Sequence, residues 1–338
     1  MAAQYGARTR DSASIVTLDT TITTVRSAYT TQVKGTGSTV DQYFSIPQIK
    51  ATSFVVVAAP TPGSQLPAAW WSVGQLQLRR PSTSTFNVTI LEYDGLPDNI
   101  ARYGLRARND SSSTQIDNAN RVLTLARNGS FTMGVISPGN IVADVTISFG
   151  APITTTTQPF VFLNFDDDGM VYKFVLRGSP GNWTGFSLSW WTGQNSTQRF
   201  TVKWMAGVFS SSGAPGDYGL RVRDAAGAQL FVTSDNLILM NGFPSNDRFI
   251  RSGTDIPLGP EYYTSYRMPW TSSLDDYFLA NSLIGGPFFD GFSSYDNPAG
   301  FLSANRSFLQ AYSGANAQTS GSANNGRTLF SARPMRPI

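Results

Sequence analysis

The chain reads as an all-β protein, made of tandem β-sandwich-like units with an internal repeat and little helix. Composition predicts this first. Charged residues make up 14% of the chain, against roughly 25% in an average globular protein. Glu92 and Glu261 are its only glutamates, and Lys34, Lys50, Lys173 and Lys203 its only lysines, so the residues that usually solvate helix faces are nearly missing. In their place stand 31 glycines, 19 prolines and 12% aromatics, which favour turns and strands. No long 3.6-residue apolar periodicity appears.

The same composition narrows function. The chain has no cysteine and no histidine, so it has no disulfide, no thiolate metal site and neither a Ser-His-Asp nor a Cys-His arrangement. Stability is expected from packing or oligomerisation. The opening MAAQYGARTRD has no apolar core of signal-peptide length, and no apolar run approaches the roughly 18 residues of a membrane span. Synthesis in a cytoplasm is the expectation. A net charge of +3 without a dense Arg/Lys cluster argues against nucleic acid as a partner. No cofactor is expected, since no phosphate-binding Gly-rich loop with its Lys-Ser/Thr appears.

Self-similarity organises the rest. Tyr5-Gly6-Ala7-Arg8-Thr9-Arg10-Asp11, Tyr103-Gly104-Leu105-Arg106-Ala107-Arg108-Asn109 and Tyr218-Gly219-Leu220-Arg221-Val222-Arg223-Asp224 share one pattern. Each predicts a β-hairpin. Alternate arginines line one strand face, a polar stretch turns the chain, and IVTLDTTIT, RVLTLAR or AQLFVTS returns. Asp19 and Asp117 each follow their Tyr by fourteen residues, and in the third copy Asp235 falls three positions later.

Downstream, Phe54–Val57, Trp70-Trp71 and Phe86–Leu91 are matched in order by Phe160–Leu163, Trp190-Trp191 and Phe200–Met205. A third copy keeps Tyr277–Leu279 and Thr328–Phe330 but has no Trp pair. The expected division is 1–100, 101–215 and 216–338, with turn-rich junctions at 99–102 and 213–217. The last unit diverges after Met240, with aromatic and Gly-rich loops over 262–301, and 154–157 reads as a surface loop inside the second.

The opening YG-L-x-V-x-D hairpin, clearest in YGLRVRDAAGAQLFVTSDNL over 218–237, resembles an element of small β-rich tail and tail-fibre proteins of tailed bacteriophages. Ala7 and the missing turn glycine make the first copy the poorest match. The resemblance implies a non-enzymatic virion protein at the tail tip, baseplate or fibre. Its implied partners are other tail proteins, copies of itself (a trimer ahead of a larger ring) and a host-surface glycan or protein. An icosahedral capsid or decoration protein and a glycan depolymerase are the rival readings. The internal repeat weighs against a single jelly roll, and no pair of carboxylates is singled out for glycoside cleavage.

Particular residues carry these expectations. One Trp of each pair should enter the core, because adjacent strand residues face opposite sides, and the other should point outward to stack on sugar rings or pack at an interface. The arginines Arg8, Arg10, Arg106, Arg108, Arg221 and Arg223 form either a solvated face or ion pairs with aspartates of the return strand or of the preceding unit, such as Asp98 or Asp217. Asp166-Asp167-Asp168-Gly169 reads as an acidic hairpin turn between two apolar strands, since it lacks the spacing of a calcium loop. Tyr262, Tyr263, Tyr266, Trp270, Phe288 and Phe289 are candidates for a subunit interface or a receptor contact.

Overall fold

The computed structural model describes residues 8–10, 16–19, 26–37, 40–58, 67, 69–78, 81–92, 104–108, 113–117, 121–133, 142–165, 170–191, 200–211, 213, 220–240, 250–258, 261–269, 276–283, 288–289, 294–295, 299–301, 308–315, 331–336 and 338, some of them by backbone alone. The first stretch holds β1 (Arg8–Arg10), β2 (Val16–Asp19), β3 (Arg26–Lys34), β4 (Gln42–Ser45), β5 (Ser53–Ala58), β6 (Ala69–Ser72), β7 (Gln75–Leu78) and β8 (Thr85–Glu92). The second holds β9 (Gly104–Arg108), β10 (Ser113–Asp117), β11 (Arg121–Val122), β12 (Thr124–Met133), β13 (Val142–Ile153), β14 (Phe160–Phe165), β15 (Met170–Ser179), β16 (Asn182–Trp191) and β17 (Phe200–Val208). The third opens with β18 (Arg221–Arg223), β19 (Gln229–Val232), β20 (Ile238–Met240), β21 (Ile250–Leu258), β22 (Glu261–Pro269) and β23 (Tyr277–Leu279). After the single turn α1 (Ala280–Leu283) come β24 (Phe288–Phe289), β25 (Ser294–Tyr295), β26 (Ala299–Phe301), β27 (Phe308–Ala315) and β28 (Ser331–Pro334). The chain is all-β, and every strand pairing among the described residues is antiparallel.

One strand order recurs three times. Hairpins β1-β2, β9-β10 and β18-β19 open the stretches. A first sheet then reads β3-β8-β5, β12-β17-β14 and β20-β28-β23, and a second reads β4-β7-β6, β13-β16-β15 and β22-β27-β26. The second and third sets are fused edge to edge. β14 pairs with β23 and β15 with β26, which makes one six-stranded and one seven-stranded sheet, the latter extended by β21. These sheets draw strands from both sides of the 215/216 junction. The Trp pairs do not take equivalent places: Trp70-Trp71 lie on the edge strand β6, whereas Trp190-Trp191 lie on the central strand β16. Linkers also tie neighbours together. β11 pairs with the start of β3, and Leu237 bridges Thr124 at the start of β12.

Packing arranges the sheets in layers. The three-stranded sheet β4-β7-β6 covers the sheet β11-β3-β8-β5 through Phe44, Leu76, Leu78, Phe86, Val88 and Ile90. The opposite face of that sheet meets the six-stranded sheet through Phe54, Val56, Leu91, Phe160, Phe162, Met205, Tyr277 and Leu279. The six-stranded sheet in turn packs on the seven-stranded one through Val161, Leu163, Val202, Trp204, Phe278, Phe186 and Leu188. Strands in the inner layers are therefore apolar on both faces, which is why they carry the unbroken apolar runs FVVVA, FVFL and YFL rather than alternating ones. Gly207 faces this crowded centre, where an added Cβ would lie 2.6 Å from Ile238 Cδ1.

The seam between β14 and β23 has a local two-fold character. Phe162 stands opposite Leu279, its counterpart in the repeat, and the two strands run antiparallel about that pair. FVFLN and YFLAN each end in a buried asparagine, at 2% exposure for Asn164 and 4% for Asn281. Asn164 donates to the Asp276 carbonyl at 2.7 Å, and Asn281 donates to the Pro159 carbonyl at 3.0 Å while accepting from the Val161 amide at 2.6 Å. These side chains complete the hydrogen bonding of backbone just beyond the paired residues. Asn281→Leu is expected to lower the unfolding free energy by about 2–4 kcal/mol, because it strands a buried amide and a buried carbonyl. Asn164→Leu is likewise expected to be destabilising, and urea denaturation of the two variants checks both.

Candidate functional site

The three repeated hairpins form where the sequence places them, though not always with the expected return strand. β9 pairs with Ser113–Asp117, so RVLTLAR does not return but begins β11 and β12. Alternation in β18 leaves Arg221 and Arg223 exposed around buried Val222, a solvated strand face. Arg223 Nη1 donates to the Gly227 carbonyl at 2.5 Å. Asp224 Oδ1 accepts the Ala226 and Ala228 amides at 2.9 and 2.8 Å, and Gly227 takes φ 82°, which a side chain would strain. In the first hairpin the register sets Arg8 opposite Asp19; in the second, Arg106 and Arg108 face Gln115 and Ser113. Tyr5, Tyr103, Tyr218, Asp98 and Asp217 lie outside the described residues, as do the side chains of Arg8, Arg10, Arg106 and Arg108.

Of the repeated aspartates, Asp235 has the clearest role. It is 4% exposed and accepts Ser211 Oγ at 2.5 Å, the Gly213 amide at 2.7 Å and the Val232 amide at 3.0 Å. The carboxylate thus ties the third hairpin to the chain leaving β17. Gln229 Nε2 reinforces the tie through Ser211 Oγ and the Gly213 carbonyl, at 2.7 and 3.0 Å. Asp235 stands three positions later in its repeat than Asp19 and Asp117 do in theirs, so its recurrence, not an exact spacing, marks it in the sequence.

The acidic run 166–169 itself lies outside the described residues, but its flanks correct the hairpin expectation. β14 and β15 belong to different sheets, so the run crosses between layers. Among the described residues no three His, Cys, Asp or Glu side chains converge on a metal site. In the third stretch β22 places Tyr262, Tyr263 and Tyr266 opposite Ala315, Gly314 and Ala311 of β27, while Phe288 and Phe289 lie on β24. Trp270 and these aromatic side chains are outside the described residues.

The first Trp pair divides as adjacent strand residues must. Trp71 turns inward, edge-on to Phe54 with centroids 5.5 Å apart, and its Nε1 donates to the Ser53 carbonyl at 3.0 Å. Trp70 therefore lies on the outer face of β6, opposite Gln77 of β7, which is in turn opposite Tyr43 of β4. Ser72, Gln75 and Ser45 make the next cross-strand row on that face. Tyr43 is 60% exposed, and Gln77 Nε2 donates to Asp41 Oδ2 at 2.9 Å. An outer face with two aromatics around one amide is the arrangement here with the character of a binding surface.

No family model matches the chain, and no curated protein or solved structure proves similar to it.

Two outcomes follow for stability. Asp235→Ala is expected to cost about 3 kcal/mol by stranding buried donors, against about 1 kcal/mol for Asp224→Ala at its exposed turn. Trp71→Ala is expected to cost about 3 kcal/mol, while Trp70→Ala, at a half-buried position on the outer face, costs about 1 kcal/mol or less. Chemical denaturation of the four variants reads all of these values.

Proposed function

We propose that the chain is a non-enzymatic structural protein of a tailed-phage virion, placed at the tail tip, baseplate or fibre, where it serves assembly and host attachment. The observation that carries this reading is the recurrence of the YG hairpin, three times, each time at the head of the same strand order. A repeated hairpin-plus-sandwich module suits a part that extends by stacking and meets neighbouring subunits over broad β surfaces. The layered core supports it too, since a chain without cysteine gains its durability from buried apolar strands. We read 1–100, 101–215 and 216–338 as three copies of that module, the last two joined through their sheet edges.

In this reading the protein works as a homo-oligomer, a trimer about the tail axis, and contacts other tail proteins. Negative-stain imaging of purified virions labelled with antibody to the chain tests the placement. Label is expected at the tail end, in multiples of three. Label over the head would favour a capsid or decoration protein instead. Release of reducing ends from host-surface glycans by the purified chain would favour a depolymerase.

A further inference from the structure

We propose that the outer face of the β4-β7-β6 sheet binds an uncharged polysaccharide, with Tyr43 and Trp70 as stacking platforms on either side of Gln77. The register puts all three side chains in one cross-strand row. Neighbouring strands lie roughly 4.8 Å apart, so the two aromatic residues stand roughly 10 Å apart at the backbone, wide enough for a short run of pyranose rings. Sugar rings present C–H faces that pack on aromatic planes and hydroxyl edges that seek amides and carboxylates. The row supplies both, because Asp41 holds the Gln77 amide between the platforms.

Exposure singles out this face. Val40, Tyr43 and Val73, at 64, 60 and 69%, all belong to this sheet or its immediate turns, and they make up most of the exposed large hydrophobics among the described residues. Polar composition then selects the occupant. The second row, Ser45-Gln75-Ser72, holds hydroxyls and an amide where a protein interface would place its apolar centre. Among the described residues of the face, charge is confined to Asp41, which disfavours acidic glycans. The platform is also rigid. Gly74 accepts from the Ile46 amide and donates to the Ile49 carbonyl at 2.9 and 2.8 Å, while Phe44, Leu76 and Leu78 anchor the inner side, so little ordering accompanies binding.

The proposal deepens the attachment role proposed above, and its test works on the purified full-length chain whatever the virion location. The chain is applied to an array of bacterial surface polysaccharides with uncharged and acidic repeat units, alongside Trp70→Ala, Tyr43→Ala, Trp70→Phe and, as a control off this face, Tyr29→Ala. Retention on at least one uncharged glycan is expected. Trp70→Ala and Tyr43→Ala should each weaken it roughly tenfold or more, the equivalent of about 1.4 kcal/mol, while remaining folded. Trp70→Phe and Tyr29→Ala should retain most of it. Retention only on acidic glycans, no retention at all, or binding that survives both alanine substitutions would overturn the proposal. So would a drop in assembled mass for Trp70→Ala in light scattering, which would make the face a contact between copies. Antibody label away from the tail would end the tail assignment and leave the array result standing.

Discussion

Burial of single strands on both faces is the constraint on which the structure depends. β5, β14 and β23 each lie between two apolar layers, with alternate residues feeding different cores: Phe54 and Val56 on one side, Val55 and Val57 on the other. Such a strand tolerates little polarity on either face. Ser53 and Asn164 are buried within these strands, yet both are hydrogen-bonded, Ser53 Oγ accepting the Lys50 amide and Asn164 donating across the seam. The layer order follows from these strands, because an apolar face left uncovered must find another sheet.

The apolar runs were the most legible part of the sequence. Their unbroken character marks buried strands, and their recurrence revealed the repeat. Hairpins were equally legible, because arginine alternation and turn residues are local signals. The Trp pairs misled. Trp70 and Trp190 look alike in one dimension, yet they occupy an edge strand and a central strand. The uneven distance from each preceding apolar run was the clue. Edge pairing between β14 and β23 is non-local, and no property of either segment announces its partner. Even so, an asparagine closing both FVFLN and YFLAN hinted at a shared role.

The outer face of the first sandwich was half legible. Alternation in Gln-Tyr-Phe-Ser and Gln-Leu-Gln-Leu shows which residues turn away from the core. That Tyr43 and Trp70 share one row depends on the register of three strands, which only the folded chain displays. Inner and outer faces of this sheet therefore carry separate demands. Trp71 and its neighbours hold the core, while Trp70 lies half-buried on the opposite face.

The fused seam also bears on how the chain comes into being. β14 and β15 emerge during synthesis long before β23 and β26, the strands that cover their edges. Through that interval the second sandwich carries two bare, apolar edges of the kind that recruit foreign strands. The third stretch covers both edges, occupying the position that a foreign strand would otherwise take. Since the seam joins counterparts about a local two-fold, it has the form of a contact between two identical subunits, held within a single chain.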